Sequence, residues 1–184
     1  MSVVIPERLA FVKDVPLSTG GHRAPADGQC PDGMCAVEKF AFITGQPWSD
    51  SPDNGCEVLW AFMRSFNDHT DQAGRDRLDA WSIENADRIA ATAGDGRADE
   101  RGYMAADYAI RVALPLWLEL AGLPDQAAEL RALPPITDQS TAHRGRDAAR
   151  AARKSLPSSY DARIALKRKV KEAVEKKLKE KGTL

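Results

Sequence analysis

The chain has 184 residues, 43% hydrophobic and 29% charged, with a formal net charge of −1. This is ordinary for a globular protein that buries a core, and it excludes a molecule that is polycationic or polyanionic throughout. No stretch approaches the roughly 20 apolar residues a membrane-spanning helix needs, so no membrane association is expected.

The near-zero charge conceals an asymmetry. Residues 139–184 carry fourteen Lys/Arg against five Asp/Glu, so a segment of net +9 follows a body of net −10. The opening "MSVVIPERLAFVKDVPLSTGG" lacks the basic stretch and apolar run of a secretory leader. With an odd number of cysteines (Cys30, Cys35 and Cys56), a cytoplasmic, reduced protein is expected.

In chain order, residues 1–33 read as an irregular lead-in broken by four prolines and four glycines, with "VVIPERLAFV" fitting a short strand or a helical turn. From Met34, Val37, Phe40, Ala41 and Thr44 recur at helical spacing until Gly45 and Pro47 stop them. Val58, Leu59, Phe62, Met63 and Phe66 form the apolar stripe of a second helix over about 56–67. Residues 71–92 read as a charged helix broken near Ser82. The most apolar segment follows, a helix over about 99–121 with Asp99 and Glu100 at its positive end and a kink expected at Pro115. "DQAAELRAL" adds a short helix, and Pro134-Pro135 closes the body.

Beyond it, "STAHRGRDAARAARK" is helix-prone without a wide apolar face. After the break at "LPSS", Leu166, Val170, Ala173, Val174 and Leu178 line one side of a basic helix. No run alternates long enough to make a sheet credible. The expected fold is mainly α: a compact helical domain over 1–136, with 1–33 as irregular lead-in, and an Arg/Lys-rich helical tail over 139–184.

The stretch "GGHRAPADGQCPDGMCAVE" sets a histidine, two cysteines and a glutamate on a Gly/Pro-rich loop entering a helix. One reading is a zinc site. Cys30 and Cys35 have the spacing of half a zinc motif, and His22 and Cys56 would complete the shell, although no second closely spaced pair is present. A second is nucleophilic catalysis: a helix N-terminus favours a thiolate at Cys35, with His22 as base and Asp50 or Glu38 orienting it. A third is a capped helix entrance with both thiols as small buried hydrophobes.

Asp107 and Arg111 are spaced i, i+4 as an intrahelical ion pair. Asp68 is a candidate cap for the helix after it, and Asp50 and Asp53 for the helix near Cys56. In the tail, Arg163, Lys167, Arg168, Lys169 and Lys171 are candidates for contact with nucleic acid or a partner protein. Tyr160 is the tail's single aromatic, so phosphate contact without base stacking is the form such binding would take.

The ordered blocks "GGH", Cys35 with Glu38, "PWSD", Cys56, "FMRSFND" and "MAADYAIRVALPLWLELAGL" resemble a family of small uncharacterised proteins from actinobacteria and their phages, over about 18–136. The resemblance implies that His22, Cys35, Glu38, Ser49, Asp50, Cys56, Asn67, Asp68, Ala106, Asp107 and Arg111 occupy that family's motif positions. It implies no activity. The chain departs from the pattern with its additional Cys30-Pro31-Asp32 and with Lys39 and Phe40 where small apolar residues are expected. The expected function is a cytoplasmic accessory protein, of the kind a phage encodes, that acts by binding. The alternative is a small cysteine-dependent or metal-assisted hydrolase using His22, Cys35 and Glu38. Phosphate-loop, HExxH and GxSxG signatures are missing from the sequence.

Overall fold

The computed structural model describes residues 2–26, 29, 31–156 and, further on, 164–166, 168–170, 172, 173 and 176. Among these, the chain is mainly α, with nine α-helices, one π-helical turn and no strand beyond an isolated parallel bridge between Leu17 and Met34. It divides into two compact units, Met1–Ala98 and Asp99–Leu184.

The N-terminal unit holds α1 (Pro6–Val12), α2 (Ala36–Ile43), α3 (Glu57–His69), α4 (Gln72–Glu84) and α5 (Ala86–Ala90). The ambiguous "VVIPERLAFV" resolves as α1, with Pro6 where a first-turn proline costs no hydrogen bond. α2 is the hub. Seven of its eight residues are buried, and α1, α3 and α4 pack around it. Phe40 meets Trp60 of α3 at a ring separation of 5.2 Å, and the Trp60 indole donates to the Pro52 carbonyl at 2.8 Å.

The second expected helix is present but rotated from the stripe read off the sequence. α3 buries Trp60, Met63 and Asn67, while Phe62 and Phe66 are exposed and stack on each other at 5.9 Å. The indole area and the buried Asn67 amide decide the inward face, and Phe62 is left outside. The break expected near Ser82 falls instead at Asn85, because the Ser82 hydroxyl bonds back to the Asp79 carbonyl inside an unbroken turn of α4.

The C-terminal unit holds α6 (Ala98–Tyr108), the π turn (Ala109–Ala113), α7 (Leu114–Leu120), α8 (Pro124–Arg131) and α9 (Gln139–Lys154). The irregularity expected at Pro115 is the π turn just ahead of it. Proline lacks an N–H and its ring crowds the carbonyl four residues back, and one widened turn accommodates both effects. The core of this unit is Leu118, Ala127, Leu130 and Ala152, flanked by Ile110, Trp117, Ala148 and Leu156.

Sequence reading put the division at 136–139, whereas the units divide at 98/99 and α9 packs on α8 and the π turn. α9 has an apolar face after all, built of small residues. A Cβ on Gly145 would lie 2.7 Å from Ile136 Cδ1 and 3.2 Å from Ile110 Cδ1, so glycine is what lets the helix approach this closely. Of the later stripe, Leu166 is half-buried and Val170 buried, while Val174 and Leu178 lie outside the described residues.

Candidate functional site

The N-terminus of α2 gathers the loop that carries His22. The Leu17–Met34 bridge and the Ser18 N–H donating to the Met34 carbonyl at 2.9 Å bring the lead-in against the start of the helix. Cys35 caps α2, its sulfur accepting the Glu38 N–H at 3.5 Å while Glu38 Oε2 accepts the Cys35 N–H at 2.7 Å. This reciprocal capping box turns the Glu38 carboxylate back toward the loop.

There it takes two more donors. Oε1 accepts the His22 backbone N–H at 2.7 Å, and Oε2 pairs with His22 Nδ1 at 2.8 Å. The carboxylate side chain is 3% exposed and the imidazole 21%. With Nδ1 donating to a carboxylate, the neutral ring leaves Nε2 as an acceptor. Nε2 lies 2.9 Å from Ser18 Oγ, so in that tautomer the hydroxyl is the donor.

Loop anchors complete the array. Trp48 Nε1 donates to the His22 carbonyl at 2.9 Å, and Asn67 Nδ2 donates to the Ser18 carbonyl at 2.8 Å. Asp68 accepts the Gly20 N–H at 2.9 Å, and this bond leads the causes that hold its carboxyl below the usual range. Asp68 therefore fastens the His22 loop. The cap expected of it for α4 is made by Asp71, which accepts the Gly74 N–H at 2.8 Å.

His22, Cys35, Glu38 and Asp68 thus meet in one network. Asp50 does not join it: it is exposed, and its backbone carbonyl accepts from Arg64. Nor do Asp50 and Asp53 cap α3, whose N-cap is Cys56 with no side-chain capping bond. Burial pushes the Cys35 thiol up to about 12 and outweighs the backbone N–H groups that favour a thiolate. Cys35 is therefore a capping thiol.

Cys56 is buried at the start of α3, its N–H bonded to Thr92 Oγ1 at 2.9 Å. Among the described residues no group of three or more His, Cys, Asp or Glu side chains is placed to hold a metal ion, and Cys30 lies outside them. His22 and Gly33 border a cleft of about 460 Å³ whose walls include Arg23, Pro25, Gln29 and Asp32. Sequence reasoning missed Ser18, whose only signal was a hydroxyl four residues before the histidine on a Gly-rich loop.

The C-terminal unit carries two polar features. Arg111 pairs with Asp107 at 2.9 and 3.2 Å, and Asp107 also accepts the Ile136 N–H at 2.8 Å, tying the α8–α9 connection to the helix. Those bonds, Arg111 foremost, hold the Asp107 carboxyl low. α9 begins in a second capping box, between Asp138 and Thr141, and turns His143, Arg146, Arg150, Arg153 and Lys154 outward, opposite Gly145, Ala148 and Ala152. Of the tail candidates, Arg168 and Lys169 are helical and exposed, and Arg163, Lys167 and Lys171 lie outside the described residues.

Comparison of the chain with family models, curated proteins and solved structures gives no match.

Proposed function

We propose that the chain is a cytoplasmic accessory protein that binds nucleic acid through its phosphates, using the outward face of α9 and the Lys/Arg-rich residues after it. The sidedness of α9 carries the reading. Its inner face is small and apolar. Its outer face presents Arg146, Arg150 and Arg153 at spacings of four and three residues, with His143 and Lys154 beside them. A rigid helix presenting cations at such intervals suits a phosphate backbone.

Asp147 is the one acidic residue of α9, and it pairs with Arg146 at 3.2 Å, leaving the face strongly positive. The net +9 of residues 139–184 adds to it. Arginine forks grip phosphate oxygens, whereas reading bases in single strands calls for aromatic platforms, so the binding is expected to ignore sequence. The test is a gel-shift titration of a random-sequence duplex with the full chain and with R146Q/R150Q/R153Q. The reading predicts a shift that the triple variant weakens at least about tenfold, by loss of three phosphate contacts. No shift at low salt would turn the basic face into a protein-docking surface.

A further inference from the structure

The geometry points to a serine hydrolase-type site in the N-terminal unit, with Ser18 as nucleophile, His22 as its general base and Glu38 as the residue that positions the base, acting on small polar carboxylic esters. It is independent of the nucleic-acid reading. Ser18 Oγ lies 2.9 Å from His22 Nε2, and His22 Nδ1 lies 2.8 Å from Glu38 Oε2. A hydroxyl, the far nitrogen of an imidazole and a carboxylate on its near nitrogen, each in hydrogen-bond reach, are how such a triad is recognised whatever the fold.

The supports resemble those of a working array more than those of a chance bond. Glu38 is fixed from three directions, by the His22 N–H, His22 Nδ1 and the Cys35 N–H, so the carboxylate that orients the imidazole is itself held by the helix cap. Asn67 holds the Ser18 backbone and Trp48 the His22 carbonyl. Position 33 supplies a separate observation. A Cβ on Gly33 would sit 2.8 Å from Ser18 Oγ and 3.2 Å from His22 Nε2, so glycine is what lets the chain pass this close to the hydroxyl–imidazole pair, and Gly33 and His22 both border the cleft. The cleft walls are short or polar and its volume about 460 Å³, which suits a small acyl group better than a long chain.

In the reaction, Ser18 Oγ bonds to the ester carbonyl carbon as its proton passes to His22 Nε2. Collapse of the tetrahedral adduct breaks the bond to the alkoxy oxygen, which leaves with that proton. Water then repeats the sequence on acyl-Ser18, releasing the carboxylic acid and restoring the hydroxyl. The titratable and charged groups around the imidazole are Glu38 and Cys35 of α2, Asp68 of α3, and Arg23 and Asp32 at the cleft.

The test treats the full chain with a fluorophosphonate probe and maps the adduct by mass spectrometry. The site predicts labelling at Ser18, none in S18A, and a rate that rises with pH with a one-proton dependence. It predicts a loss of at least about 100-fold in H22N, the scale of a general base. G33A, which should stay folded while its methyl displaces Ser18 Oγ, is expected to label slowly. No Ser18 adduct, a flat pH profile in the wild type, or equal labelling of G33A would overturn the assignment.

Discussion

Glu38 holds His22 at two points, its Oε1 taking the backbone N–H at 2.7 Å and its Oε2 the imidazole Nδ1 at 2.8 Å, while Oε2 also caps the helix through the Cys35 N–H at 2.7 Å. Removing a buried acceptor leaves its donors unpaired, at about 1–3 kcal/mol for a buried group. E38A is therefore expected to lose about 3 kcal/mol in urea denaturation. E38Q keeps one carbonyl oxygen and is expected to lose about half as much.

Cys35 tests the same region by reactivity. Its thiol is raised from 9.0 to about 12 by burial. A thiol that holds its proton more tightly when folded contributes stability that is complete below pH 9 and is lost as the pH rises toward 12. Iodoacetamide at pH 8.5 is accordingly expected to leave Cys35 unmodified in the native protein and to modify it in denaturant. Rapid native alkylation at Cys35 would show an accessible thiolate instead.

The start of α2 was legible because its signal is local: Cys35 and Glu38 stand three residues apart, the spacing of a capping box. Ser18 was not legible, because its place beside His22 depends on the chain doubling back to bridge Leu17 with Met34. The extent of the C-terminal unit was hidden for another reason. α9 packs through Gly145, Ala148 and Ala152, which do not register as a stripe when large side chains are sought. Phe62 and Phe66 misled in the opposite sense, since hydrophobicity alone does not say which side of a helix with Trp60 and Asn67 turns inward.

Lys39 illustrates a buried charge that its partner makes tolerable. It is 1% exposed, and its Nζ reaches Asp79 Oδ2 at 2.6 Å and the Val15 carbonyl at 3.4 Å. Breaking a buried pair from one side costs about 3–5 kcal/mol, and the Asp79 side chain is 21% exposed, which places D79A near 3 kcal/mol. Replacing both partners, in K39M/D79A, is expected to recover most of that loss. A double variant as unstable as D79A would show that the pair itself stabilises the fold.

The packing of α9 sets where the chain tolerates truncation. Ending it at residue 156 keeps Ala148, Ala152 and Leu156 in the core of the C-terminal unit, whereas ending it at 138 removes all three. Calorimetry is expected to show a slightly lowered melting transition for the first, which gives up buried Val170, and a much lower one for the second. G145L forces a side chain into the space against Ile136 and Ile110, and overpacking of that kind costs about 1–3 kcal/mol.

The measurement that bears most directly on nucleic-acid binding is the salt dependence of affinity, by fluorescence anisotropy of a labelled duplex, for the full chain and R146Q/R150Q/R153Q. If the basic face of α9 releases counterions from phosphates, log K falls linearly with log salt between about 50 and 200 mM, and the triple variant flattens that slope by about 3. Affinity that does not respond to salt, or a triple variant that binds with the slope of the wild type, would contradict the account.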